Sequence, residues 1–573
     1  MTEASKIHDI VIIGGGLAGM TAAVRALELG LTALVIEKGE GEDYPCNSRQ
    51  SGGVMHIGFL DPYREAEELT AVIVERTAGD ADRALAAALV GSGGRLLDWL
   101  QDKGARFVRF NEQEGYRWCM APPRSLRAGI DWQGRGPDMV MRGLVEQFEA
   151  SGGAFLSGTR AIGLLLDEDR CAGVMVEKVG VTARIGASHV LIADGGFQAN
   201  PELYAEHIGG EFDRVFQRGA RTGMGDGMKM AVAAGAALTE TDRFYGHVLC
   251  RDALHNDNVW PYPEIDAMAT SGIVVDASGA RIVDEGRSGV YLANALAARP
   301  ADAILYAIFD AAIWEEPGKS ARIPANPLLE EAGGTVLRAD SLEALAKMAG
   351  IDAGVLKASV ENHNAALAKG TLDQLPVPRS TMMRPWPITK APFMAIPICP
   401  GITYTMGGIA IDGTAQVLDE TGMPIPGLLA AGAATGGLEG GRDAGYIGGL
   451  MKAGVFGLIA AERVAALKAL AEGKIVDADA TAPSIAPAKP PPRRPRRDRL
   501  AKYPMLGGIV RYGKAGGIGL SVLVATLVLW LCWPAFENWA IPMATAAGLI
   551  TGVIALSFAE LVRLITDMLL PEA

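Results

Sequence analysis

Gly14, Gly16 and Gly19 stand in the spacing GxGxxG, and an acid, Glu37, follows 18 residues after the last of them. Glycines so spaced permit a tight turn and let backbone N–H groups approach a pyrophosphate at a helix N-terminus. A carboxylate about 20 residues further on is placed to accept hydrogen bonds from a ribose diol. The chemistry this predicts is dinucleotide binding, and three later stretches extend it. Asn47, Ser48, Ser51, Gly52 and Gly53 form a polar, glycine-ended loop soon after Glu37. A strand at 190–193 runs into Asp194, Gly195 and Gly196, and another at 427–431 runs into Gly432, with Gly448 and Gly449 just ahead of a helix from Leu450. A nicotinamide dinucleotide needs no such late return of the chain. A flavin does, because its isoalloxazine reaches beyond the first mononucleotide-binding half.

To position these residues the chain needs a buried parallel strand at 10–13, an apolar-periodic helix at 17–29 stopped by Gly30, and a second strand at 33–36. A late helix is expected at 450–467, and 65–75 reads as the solvated face of another. The expected class is α/β, with a Rossmann-like domain first. At 573 residues the chain exceeds one compact core, and 49% apolar against 21% charged residues suit large buried cores. Six cysteines include no CxxC or CxxCH, which argues against iron–sulfur, c-type haem and disulfide frameworks; no metal site is expected. A net charge of −13 argues against nucleic acid as a partner.

The C-terminal region departs from this pattern. Residues 489–514 carry nine basic residues and one acid, a local +8 that leaves −21 on the remainder. A Pro/Arg-rich linker is expected at 473–502 and a helical hairpin at 503–573. The hairpin holds two uncharged 19-residue stretches, 515–533 and 540–558. Each would span roughly 28 Å as a helix, close to the hydrocarbon thickness of a bilayer. Trp530, Trp533 and Trp539 cluster at one end, as in an interfacial belt. The basic approach then places the large N-terminal body on the cytoplasmic side of the inner membrane. The N-terminus shows no signal-peptide pattern.

Taken in order, the segments 14–19, 47–53, 193–196, 222–227 (TGMGDG), 278–285 (SGARIVDE), 401–408 (GITYTMGG) and 426–432 (PGLLAAG) resemble the fumarate reductase/succinate dehydrogenase flavoprotein superfamily. That superfamily also holds 3-ketosteroid Δ1-dehydrogenases and tricarballylate dehydrogenases, and the likeness covers about 7–470. It implies an FAD-binding domain at 1–240 and 380–472, with an inserted α+β capping domain at 241–379. FAD is expected to be non-covalent, although Cys46 lies where membrane-complex members carry a flavin-linked His. The implied cofactor contacts are Gly14, Gly16, Ala18, Gly19, Glu37, Lys38, Asn47, Ser48, Ser51, Gly52, Gly53, Ala193, Asp194, Gly195, Asp226, Gly432, Gly448, Gly449 and Leu450.

The same resemblance implies hydride exchange between flavin and one carbon of a CH–CH bond activated by a carboxylate or ketone. Arg287, the arginine following 281–285, takes the place of the proton donor of the dicarboxylate reductases. His247 falls where a substrate-contacting His is found, and Tyr404 stands where fumarate reductases have a His. Near the final Gly pair, either Arg442 or Tyr446 faces the flavin, with Arg442 as the carboxylate or enolate partner. The expected activity is a membrane-anchored dehydrogenase passing electrons to quinone or a membrane partner. The alternatives are an enoate reductase of the fumarate or urocanate type, and a flavoprotein subunit of a larger membrane complex.

Overall fold

The computed structural model describes residues 7–110, 113–300 and 303–474, together with 526, 545–547 and 551. The first apolar run forms β1 (His8–Ile13), with Ile10, Val11 and Ile12 fully buried. Burial on both faces explains its uninterrupted apolar sequence. Gly14 leaves the strand at φ +105°, and α1 (Leu17–Glu28) starts from Gly16. A Cβ on Gly19 would lie 1.9 Å from the Gly14 carbonyl oxygen, so only glycine lets the helix cross the turn this closely.

The chain returns in β2 (Ala33–Ile36), which pairs parallel with β1, and continues the sheet with β3 (Ala154–Leu156). On the other side of β1 lies β4 (Val181–Ile192), also parallel. Ile13 stands opposite both Ile36 and Ile192. The residues just past these strands, Gly14, Glu37 and Ala193, therefore meet at one sheet edge, where open α/β sheets bind ligands.

An antiparallel sheet forms the cap: β5 (Phe244–Cys250), β6 (Ile273–Asp276), β7 (Leu305–Asp310) and β8 (Phe393–Thr405), in the order β5-β8-β7-β6. It has its own core, including Leu249, Ile273, Ile308, Phe309 and Ile396. The strand β8 is 13 residues long and pairs with β5 and β7 at once. Its apolar half belongs to the cap's core, so the return to the nucleotide-binding domain falls after Thr405 rather than at 380.

Beyond the cap, β9 (Pro424–Ala430) joins the first sheet parallel to β4, with Ala430 opposite Ile192, and brings Gly432 to the same edge. The last described helix of this unit, α2 (Gly449–Ala471), runs so close to α1 that a Cβ on Gly457 would lie 2.4 Å from Ala18 O. Every residue of α2 from 451 to 461 is buried, and one of them, Lys452, is charged.

The chain divides into two units, Met1–Ala488 and Lys489–Ala573, and the described sheets all lie in the first. Among the described residues no helix is long and apolar enough to cross a membrane. The expected linker from 475 onward and the expected spans 515–533 and 540–558 lie outside the described residues, apart from the few helical positions at 526, 545–547 and 551.

Candidate active site

A cavity of about 330 Å³ runs from the sheet edge to the cap, and its lining begins with the glycine turn. A Cβ on Gly14 would lie 2.5 Å from Ala193 O, which leaves backbone on both sides of the turn. α1 has no acid in its first turn and no side-chain cap from Gly16, although Leu17 N–H donates to Ser48 Oγ at 3.0 Å. Its N-terminal dipole is thus open to an anion. Glu37 is almost fully buried and accepts the Gly15 and Gly39 N–H groups, both at 2.7 Å. Asp194 accepts the Gly227 N–H at 2.8 Å through one oxygen, while its other oxygen and Oε1 of Gln50 are buried without partners. Burial pushes the Asp194 carboxyl up to about 6. The glycine cradle, the open helix end and these orphaned acceptors fit a bound dinucleotide, whose hydroxyl and amide donors would satisfy them.

The loop after Glu37 is held from both sides. Asn47 donates to Thr403 O and accepts the Ala220 N–H, each at 2.8 Å, which ties the loop to β8. Gly52 O accepts from Arg322 of the cap at 3.1 Å. The other two nitrogens of that guanidinium, Nε and Nη2, are buried without partners. Cys46 lines the cavity, and burial pushes its thiol up to about 11. A thiol is a nucleophile only as thiolate, so non-covalent FAD suits this loop.

Toward the cap the lining turns aromatic. Tyr245 stacks on Tyr446 with ring centres 4.0 Å apart and touches Tyr404 at 5.3 Å. Burial raises all three phenols above their ordinary range, and Glu439 beside Tyr404 raises that one further. His247 bonds Asp266 Oδ2 through Nδ1 at 2.5 Å and the Tyr245 hydroxyl through Nε2 at 3.0 Å. A Cβ on Gly289 would lie 1.9 Å from Asp266 Oδ2, so the glycine makes room for this carboxylate. His247, Glu264 and Asp266 bring potential ligand atoms within 4.8 Å of one another. Arg218 already bonds Glu264 at 2.5 Å and would repel a cation there. His56 also lines the cavity, pushed down to about 3 by burial, with Nδ1 accepting the Phe59 N–H.

Of the expected cofactor residues, Gly14, Gly16, Ala18, Glu37, Lys38, Asn47, Ser48, Ser51, Gly52, Gly53, Ala193, Asp194, Gly195, Asp226, Gly432, Gly449 and Leu450 line the cavity. Gly19 and Gly448 do not; they serve close packing, and a Cβ on Gly448 would lie 2.2 Å from His56 O. Lys38 and Asp226 pair with each other at 3.1 Å. His247, Tyr404 and Tyr446 line the cap end. Arg287 and Arg442 are absent from the lining. Arg287 is held by Asp284 at 3.3 Å and by Asp443, and Arg442 is about three-quarters exposed beside Asp443.

The segment 281–285 packs instead as a buried structural cluster, with Glu285 bonded to Arg281 and Arg379. The sequence does not single out Tyr245, Arg218, Glu264, Arg322, Glu439 and Lys452, all of which stand at or beside the cavity. Two of these carry a signal in the sequence: Tyr245 sits two residues from His247 on a strand, and Lys452 interrupts an apolar helix.

A family model described as FAD binding domain matches residues 9–446. The chain is 26% identical over 449 residues to NADH:fumarate oxidoreductase of Klebsiella pneumoniae (strain 342), covering 77% of this chain and 46% of that protein. It is 26% identical over 472 residues to probable fumarate reductase Ifc3 of Shewanella frigidimarina (strain NCIMB 400), covering 80% and 75%. Among solved structures, 3-ketosteroid delta1-dehydrogenase from Sterolibacterium denitrificans superimposes with a TM-score of 0.62 at 20% identity, over 80% of this chain and all of that one. At that identity the likeness concerns the fold.

Proposed function

The chain belongs to the FAD binding domain family, and from that premise we propose that this FAD-dependent oxidoreductase oxidises a CH–CH bond activated by a ketone or carboxylate. Bound FAD supplies the hydride acceptor, and the protein must hold the activating carbonyl and take a proton from the neighbouring carbon. The observation that carries the reading is the wall of three protonated phenols, Tyr404 buried and Tyr245 and Tyr446 half-buried, at the cap end of the cavity. A neutral phenol donates a strong hydrogen bond to a carbonyl oxygen on which charge develops. His247, fixed by Asp266, holds the Tyr245 hydroxyl in place.

A screen of small carboxylates and cyclic ketones for anaerobic bleaching of the flavin absorbance tests this. At least one carbonyl compound should bleach it. Failure of every saturated compound, with dye-reduced flavin reoxidised only by unsaturated acids, would reverse the direction. No reaction either way would refute the reading.

The reverse direction has one specific support. Arg322, which stacks on the Phe110 ring at 4.0 Å, lines the cavity with two guanidinium nitrogens that have no hydrogen-bond partner, which suits the carboxylate of an enoate, and two of the relatives above are named for fumarate chemistry. Electron transfer to quinone or a membrane partner, with the body on the cytoplasmic side of the inner membrane, is a proposal that rests on the C-terminal sequence. Reduced full-length protein should be reoxidised by a soluble quinone faster than by buffer oxygen, and it should sediment with membranes until detergent is added. Polypeptides that always co-purify in mild detergent would instead make it one subunit of a complex.

A further inference from the structure

Glu439 is left unused by that chemistry. Its side chain is fully buried, yet it stands directly behind Tyr404, whose hydroxyl donates to its two oxygens at 3.0 and 3.1 Å. The Ile447 and Gly448 N–H groups donate to Oε1 at 3.1 and 3.2 Å, and Lys452 Nζ lies 3.7 Å from Oε2. Lys452 is itself buried, donating to Thr435 O at 2.8 Å and Met406 O at 3.4 Å. A buried carboxylate–ammonium pair costs several kcal/mol in desolvation, and apolar residues of like volume commonly serve packing as well. Packing alone therefore gives no reason for it. Tyr404, for its part, is a poor base by itself. With its pKa raised well above 10, less than about one part in a thousand is phenolate at pH 7.

We propose that Tyr404 and Glu439 work as one proton carrier, with the phenol touching substrate and the buried carboxylate storing the proton. This rests on the reading of the site as one for CH–CH oxidation. The C–H bond beside the activating carbonyl breaks, and its proton goes to the Tyr404 oxygen. In the same motion the phenolic proton crosses the existing hydrogen bond to Glu439. The electron pair left on carbon is held as the enolate and then becomes the new C=C bond when the adjacent carbon gives its hydride to FAD. One proton ends on Glu439, the hydride on the cofactor, and Tyr404 is a neutral phenol before and after. In the opposite direction the same atoms deliver the proton to carbon.

The test uses full-length FAD-loaded protein and, as probe, whichever carbonyl compound bleaches the wild-type flavin fastest in the screen above. Two quantities are read: the bleaching rate, and exchange of the probe's α-hydrogens with deuterium oxide by NMR, which follows the proton step alone. Glu439→Gln and Tyr404→Phe should each lower both by about 10²–10⁴-fold. The double variant should be no slower than the slower single one, because the two act as a unit. A Glu439→Gln protein within threefold of wild type, or losses that multiply in the double variant, would overturn the carrier while leaving the proposed function standing.

If no probe reacts with the wild type, the function falls and the carrier with it. Should Glu439→Gln fail to fold, Glu439→Leu/Lys452→Met replaces the pair by apolar volume. That protein should stay yellow and lose exchange, and retained exchange would overturn the proposal.

Discussion

Replacing Glu37 by Gln isolates what a single carboxylate does for the cofactor cradle. In the wild type its two oxygens each accept a backbone N–H at 2.7 Å, from Gly15 and from Gly39, at a position only 7% exposed. Glutamine offers one oxygen and one NH₂ group, so whichever way the amide turns, one N–H faces another donor. Leaving one buried N–H unsatisfied costs about 1–3 kcal/mol, and this acts on the protein whether or not FAD is present. The loss of a charged acceptor for a ribose hydroxyl is separate and appears only in binding, at about 1.5–3 kcal/mol, or roughly 10- to 150-fold in Kd. Denaturant unfolding of the flavin-free protein measures the first, and titration of FAD by fluorescence quenching measures the second. Unfolding stability unchanged within 0.5 kcal/mol would show that the Gly15 and Gly39 N–H groups are satisfied some other way. An unchanged Kd would remove the ribose from Glu37.

Arg442→Ala should leave flavin bleaching within threefold of wild type, because the side chain is exposed and absent from the cavity lining. Arg322→Met should weaken carboxylate ligands at least tenfold in flavin-perturbation titrations and leave neutral ketones unaffected. Arg49→Met leaves Oδ1 of the fully buried Asp138 without its partner while Arg142 and the Gly134 N–H still hold Oδ2, and should cost about 1–3 kcal/mol in unfolding experiments, against a surface arginine change near zero. Glu240 has its carboxyl pushed up to about 7, first by burial and then by Asp80. A raised carboxyl gives stability that is full below its ordinary 4.5 and is lost as pH rises through 7. Glu240→Gln should therefore match wild type near pH 4 and be about 1–2 kcal/mol more stable at pH 8, a figure halved for solvent screening at this half-buried site.

The nucleotide half of the site is local in sequence, which is why it can be read there. The turn at Gly14 to Gly19 and the acid at Glu37 sit at the ends of adjacent parallel strands, so spacing along the chain translates directly into spacing across the sheet edge. The loop at 47–53 follows within a dozen residues. The cap half is assembled from distant segments and does not translate in this way. The strand β8 shows the difficulty: its sequence holds Pro397, Pro400 and Gly401, which read as breaks, yet it runs unbroken from the cap's core to Tyr404 because β7 pairs its first half and β5 takes over from Ile398. A position such as Arg287 was inferred by counting from a motif. Its actual partners, Asp284 and Asp443, lie 3 and 156 residues away, and only the second decides that the side chain bridges two segments outside the cavity.

Charge compensation sets what each arginine near the cap end has left to offer a ligand. Arg287 is neutralised by two aspartates and Arg218 by Glu264. A guanidinium already bonded to a carboxylate has little positive field left for a developing enolate, whereas a neutral phenol keeps its full dipole and costs less to bury. Arg322 differs from these two: among the described residues no carboxylate pairs with it, one nitrogen holds a backbone carbonyl, the group stacks on the Phe110 ring, and two nitrogens have no hydrogen-bond partner. An uncompensated cation beside the flavin loop gains most from an anionic group that moves in with the ligand. Under the proposed function, neutral donors on one wall and one cation without a carboxylate partner would divide the work, the phenols polarising a carbonyl and the arginine drawing in an acid. The ratio of carboxylate to ketone binding in the Arg322→Met protein measures that division directly.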